Sequence, residues 1–201
     1  MDLYKLKRKD KKKAVEVLSK AFDSDPLTQY MFPTKEARQE LLPHYFNFQV
    51  SYGLIFGEIY APSPKIEGLA IWYRSNRYEM NMLKQLRAGG MRLFMRLKKD
   101  TISKMMPIGR FSHEMHMKYG NFLHWYLSPI GVDPEFQGKG FASQLLRSMH
   151  KRIDEEKIPC LLETQNPVNV EIYKRFGYEV VAIETIPSTD IPHWVMVRHP
   201  K

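Results

Sequence analysis

Ala14, Val17, Leu18, Ala21 and Phe22 recur at i, i+3, i+4, i+7 and i+8, so one apolar stripe runs along a helix that ends near "DSDP". After Pro33 the same period resumes at Ala37, Leu41, Leu42, Tyr45 and Phe46 and predicts a second helix. "LIFGEIYAPSPKIEGLAIWYR" changes to short runs rich in Ile, Tyr and Trp, which predict two strands joined at Pro-Ser-Pro. From about 78 to 120 the pattern loosens. There "AGG" interrupts one basic helical stretch, and Pro107 and Gly109 interrupt another, so the segment reads as an insertion. Regularity then returns: "LHWYLSPIGV" predicts a strand, 140 to about 154 a helix, "IPCLLET" a strand, and 168–176 a helix. Gly177 suits the end of that helix, where a positive φ is cheapest for glycine. "YEVVAIETI" and "HWVMVRH" predict two last strands. The alternation of strand and helix implies a crossover unit in a mixed sheet.

Composition narrows the class without naming a function. A chain of 201 residues suits a single domain, 1–201, carrying the insertion at about 78–120. With 43% hydrophobic and 26% charged residues it can bury an ordinary globular core. No apolar run approaches the roughly 18 residues that span a bilayer, and "MDLYKLKRKDKKKAVEVL" is not built like a signal peptide. A cytoplasmic chain with no membrane partner is therefore expected. Cys160 is the only cysteine and sits in "IPCLLE", which predicts a buried structural thiol and no intramolecular disulfide.

The net charge of +9 permits an anionic partner but identifies none. Much of it lies in 5–13 and 84–104, where solvated faces are the plainest reading. The insertion also holds Met80, Met82, Met91, Met95, Met105, Met106, Met115 and Met117, which suit either ordinary packing or an adaptable cover over an acceptor pocket.

The junction "VDPEFQGKGFASQLL" carries the chemistry. A Walker phosphate loop needs four residues between its glycine and Gly-Lys-Ser/Thr, but Lys139 is followed by Gly140. A dinucleotide turn needs a third glycine where Ser143 stands. What remains is a strand end, a loop and a helix start, whose free N–H groups and positive helix end suit a compact anion such as pyrophosphate.

"QGKGFA", from Gln137 to Ala142, resembles the Gln/Arg-x-x-Gly-x-Gly/Ala signature of the GNAT superfamily of acetyl-CoA-dependent N-acetyltransferases. "GVDP" before it, "NPVNVEIY" from Asn166 to Tyr173 and "YKRFGYEV" after it stand at the spacing of that family. The stretch from about Trp125 onward also resembles puromycin N-acetyltransferase in "WYLSPIGV", "LLETQNPVNVEIYKRFGYEV" and a late Trp-x-Met, Trp194 and Met196. The resemblance implies an α/β (α+β) fold: a mixed, mostly antiparallel twisted sheet flanked by helices, with a splayed central strand pair. It implies acetyl-CoA as co-substrate, an amine acceptor, direct transfer without a covalent enzyme intermediate, and no metal.

Site residues follow from the same resemblance. The backbone at Ile130 and Val132 would meet the pantetheine arm beside a bulge or splay that Pro129 and Gly131 favour, and the Val132 N–H would be the oxyanion donor. The amides of Gln137, Gly138, Lys139, Gly140, Phe141, Ala142 and Ser143 would hold the pyrophosphate, with Lys139 adding charge. Asn166, with Asn169 as second candidate, would reach the pantetheine arm, although both residues also suit a helix cap or turn. Tyr173 holds the family's general-acid position, and Glu163 is the first choice of base. His124 is the alternative base and shares a strand face with Tyr126 by the period of two. The acceptor expected is a small-molecule primary amine. A protein or peptide amine is the alternative, and an inactive nucleic-acid-binding module is the competing class, although no base-reading motif appears and a nucleic-acid partner is not expected. A homodimer stays open.

Overall fold

The computed structural model describes residues 3–78 and 81–201, so Met80 lies outside the described residues. The first apolar stripe becomes α1 (Lys11–Ala21), with Ala14, Val17 and Leu18 fully buried. A short edge strand, β1 (Tyr4–Lys5), precedes it. "DSDP" ends one helix and also starts another: Asp25 accepts from the Leu27 and Thr28 N–H groups and Pro26 opens α2 (Pro26–Met31). Helix α3 (Lys35–Phe56) is capped by Thr34, whose hydroxyl accepts from the Ala37 N–H.

Two sequence expectations change here. Leu54, Ile55 and Phe56 continue α3 instead of opening a strand, because a short apolar run after a helical stripe fits either period. The hairpin is β2 (Glu58–Ala61) and β3 (Gly68–Arg74), joined through Pro62 to Glu67. After α4 (Met82–Arg87) and α5 (Gly90–Phe94), Pro107 and Gly109 do not interrupt the next helix; α6 (Lys99–Tyr119) runs through both. Pro107 is exposed, so the carbonyl that it leaves without an intrahelical donor can turn to water.

The rest of the chain follows the expected order: β4 (Trp125–Val132), α7 (Phe141–Glu156), β5 (Cys160–Thr164), α8 (Pro167–Arg175), β6 (Glu179–Thr185) and β7 (Pro192–Arg198). Gly177 ends α8 with φ +85°. The seven strands form one sheet in the order β1-β2-β3-β4-β5-β7-β6, antiparallel except for the parallel β4–β5 pair that α7 connects. Side-chain alternation splits the core into two layers. Tyr73, Tyr126, Leu161, Val195 and Val197 pack with α1, α3 and α6 on one face. Trp72, Trp125, Leu127, Leu162 and Met196 pack with α7 and α8 on the other.

Candidate active site

The parallel pair is short. Trp125, Tyr126 and Leu127 match Cys160, Leu161 and Leu162, after which β4 continues to Val132 and β5 to Thr164 without pairing with each other. On its other edge β4 stays paired with β3, but the register shifts between Ala70 and Trp72, so Ser128 and Pro129 bulge opposite Ile71. Asp133 N–H donates to Glu67 O at 2.9 Å. Antiparallel alternation therefore turns the N–H and C=O of Val132 and Ile130 away from β3, into the gap beside β5. The Gln137 side-chain amide donates to the Val132 carbonyl at 3.1 Å and ties the following loop to the strand end.

That loop is shaped by two glycines with positive φ, Gly138 at +76° and Gly140 at +84°, and Gly140 is the N-cap of α7. A Cβ added at either would meet nothing within 4 Å, so the concave side is open as well as left-handed. Among the described residues, no backbone N–H from Gly138 to Ser143 donates to another protein group. These amides and the positive end of a 16-residue helix can hold an anionic diphosphate. The Lys139 ammonium reaches back to the Glu135 carbonyl at 3.0 Å and stays exposed beside the loop.

On the α6 face of the gap, Glu163 is flanked by histidines from two elements. His116 on α6 places Nδ1 3.7 Å from Oε1, and His193 on β7 places Nε2 3.3 Å from Oε2. The Gln165 amide nitrogen stands 2.8 Å from His193 Nδ1, so donation there leaves the His193 proton on Nε2, toward the carboxylate. Burial pushes the Glu163 carboxyl up, but His116 and His193 more than offset it and hold it below its ordinary value. The His116 ring lies 4.5 Å from Tyr126, 5.2 Å from Tyr78 and 5.0 Å from His124.

His124 is fully buried, and its Nδ1 lies 2.7 Å from the Phe122 carbonyl, which can only accept. The proton therefore sits on Nδ1, and Nε2 is left with a bare lone pair. Burial pushes its pKa down to about 4, so the ring is neutral at physiological pH. His116 Nδ1, His124 Nε2, Glu163 Oε1 and His193 Nε2 are all buried without a hydrogen-bond partner. His116 and His193 face the carboxylate at ion-pair distance instead, so of these atoms His124 Nε2 is the one with no polar group set against it.

Tyr173 lies on the opposite face of β5, packed in the α7–α8 layer with its ring 5.7 Å from Tyr178. Burial, then the neighbouring Cys160, pushes its phenol up, so it stays protonated. The fold thus brings Glu163, His124 and Tyr126 together but leaves Tyr173 across the sheet from them. Asn166 caps α8, accepting from the Val168 N–H at 3.0 Å, and its side-chain nitrogen takes no part in that bond. Asn169 is half-buried in the first turn and gives its backbone N–H to the Asn166 carbonyl. Cys160 accepts from the Tyr178 hydroxyl at 3.0 Å, and burial pushes its thiol up to about 12, which removes it as a nucleophile.

Sequence reasoning missed His116, His193 and Gln165. His116 follows Ile108, Phe111 and Met115 on one helical stripe, so a histidine on an apolar face was the available signal. His193 shares the parity of Val195 and Val197, but its meeting with Glu163 depends on the β5–β7 register.

The sequence model of the acetyltransferase (GNAT) domain matches residues 99–181. An uncharacterized N-acetyltransferase of Schizosaccharomyces pombe is 27% identical over 205 residues, covering 98% of this chain and 83% of that protein. Among solved structures, arylalkylamine N-acetyltransferase 2 from Aedes aegypti superposes with a TM-score of 0.68 at 12% identity, over 99% of this chain and 98% of that one. A histone acetyltransferase and related acetyltransferase from Corynebacterium glutamicum gives 0.65 at 21% identity, over 100% and 98%. The ribosomal-protein-S18-alanine N-acetyltransferase of Escherichia coli gives 0.55 at 15% identity, over 98% and 92%.

Proposed function

We propose that this acyltransferase, whose residues 99–181 match the acetyltransferase (GNAT) domain, passes acetyl from acetyl-CoA directly to a primary amine of a small molecule. The observation that carries the acceptor class is the enclosure of Glu163. An amine entering beside it meets a carboxylate held ionised, aromatic walls from Tyr78 and Tyr126, and α6 overhead. A carboxylate buried among aromatic rings suits a compact cation better than an extended peptide.

Acetyl-CoA is the co-substrate that a GNAT domain uses. Residues 137–143 would hold its diphosphate, and the gap beside Ile130 and Val132 would take the pantetheine arm, with Asn166 and Asn169 at its far edge. The amine must lose a proton before or as its lone pair attacks the thioester carbon. Glu163 takes that proton directly or through water, with His124 Nε2 the alternative acceptor, while His116 and His193 position the carboxylate. The Val132 N–H donates to the carbonyl oxygen as charge builds there. The C–N bond forms, the C–S bond breaks, and Tyr173 supplies the proton for the departing thiolate from the other face of β5. The buried Cys160 thiol leaves no nucleophile for a cysteine-linked intermediate, which supports transfer in one step.

Free-thiol release with acetyl-CoA and a panel of small amines, peptide N-termini and lysine peptides tests the reading. Turnover is expected with one or more small amines. Turnover with peptides alone would move the acceptor to the protein class, and thiol release from none of them would sink the reading.

A further inference from the structure

The helices between β3 and β4 present a face that the rest of the described chain leaves open. Met82 and Leu83 on α4 are 74% and 78% exposed, and Met95, just past α5, is 70% exposed. Leu86, Met91 and Phe94, in the same short segment, are exposed as well. Arg92, Arg96, Lys98 and Lys99 share this segment with them, while Lys84 and Arg87 turn over the Phe56 ring, and no acidic residue occurs anywhere in 81–99.

So many exposed large apolar side chains within one short segment point to a contact site, and its charge selects the partner. A second copy would bring two cationic faces together, which like-charge repulsion opposes. A nucleic acid would pair with the cations but leave Met82, Leu83 and Met95 in water, and Phe94 is the only aromatic ring in 81–99 on which a base could stack. We propose that this face docks on an anionic phospholipid bilayer, with the apolar tips among the headgroups and the Lys and Arg side chains over the phosphates. The contact is peripheral, since no helix among the described residues is long and apolar enough to cross a membrane. It departs from the expectation of no membrane partner, which rested on the lack of a spanning run and did not weigh an interfacial face. Tyr78 precedes α4 and His116 lies on α6, so the docking segment is continuous in sequence with two residues packed beside Glu163.

Co-sedimentation of the full chain with vesicles tests it, using mixed phosphatidylcholine and phosphatidylglycerol against phosphatidylcholine alone. Binding to the anionic vesicles is expected to exceed that to neutral ones by about tenfold or more, because each cation near such a surface contributes roughly fivefold, and to weaken with salt. Leu83→Ser together with Phe94→Ser leaves the net charge unchanged at exposed positions. This pair is expected to lower anionic-vesicle binding about tenfold with an unchanged thermal melt, as apolar tips leave the interface. Equal binding to both vesicles, no binding to either, or an unaffected serine pair would overturn the proposal. Duplex DNA binding that outcompetes the vesicles and ignores the serine pair would replace it with a nucleic-acid surface.

Discussion

His116 and His193 reach Glu163 from different elements, so either imidazole can be removed alone. Both hold the carboxyl below its ordinary value, which keeps it ionised, and able to take a proton, down to lower pH. Losing one raises the folded-state pKa, so the ionised form disappears at a higher pH as the solution is acidified. His116→Gln is therefore expected to move the acid limb of the kcat/KM profile upward, and His116→Ala further in the same direction. A histidine that only packs would lower the melting temperature and leave the limb in place. A second titration belongs to stability. His150, whose Nε2 lies 3.1 Å from the Tyr178 hydroxyl, is pushed down to about 3, first by burial and then by Arg198. The unfolded chain protonates this ring below about 6.5 while the folded chain does not, so the unfolded state binds more protons between those values. Stability is complete above that window and falls through it on acidification, by about 1.4 kcal/mol per pH unit for one such group. Thermal melts of wild type and His150→Gln should diverge in slope across this range, and parallel curves would remove the residue from the acid response.

At the scale of the element, α7 was legible because its signals agree: small and glycine residues at its start, an apolar stripe of Leu145, Leu146, Met149 and Ile153, and a strand on either side. The open left-handed turn at Gly140 then gives a direct test of the loop. Gly140→Asp puts a side chain and a negative charge where the amides converge, and is expected to weaken acetyl-CoA binding by about tenfold or more in calorimetry. Equal affinity in a folded variant would move the diphosphate elsewhere. Less of the first half could be read. Strand β1 has two residues and α2 six, too short for a period to show. Pro107 read as a break, but an exposed proline leaves its helix a carbonyl that water can satisfy. What neither motif nor period carries is that α6 leaves the basic segment and lays His116 over Tyr126.

Across the whole molecule, the sheet separates the two groups assigned to the proton steps. Leu161 and Glu163 point to the α6 layer, whereas Cys160 and Leu162 point to the layer that holds Tyr173. Spacing from Asn166 to Tyr173 could suggest a helix against the cofactor, but not that the candidate base and acid approach from opposite sides of one strand. The gap beyond Leu127 and Leu162 reconciles them, since a thioester seated where β4 and β5 part is open to both layers. Single-turnover acetyl transfer, with an acceptor from the amine panel, tests this arrangement most directly in wild type, Glu163→Gln and Tyr173→Phe. Each variant is expected to bind acetyl-CoA as wild type does and to transfer acetyl about a hundredfold more slowly, the scale of losing one positioned proton carrier. A wild-type rate in either variant would contradict two-sided catalysis at the gap.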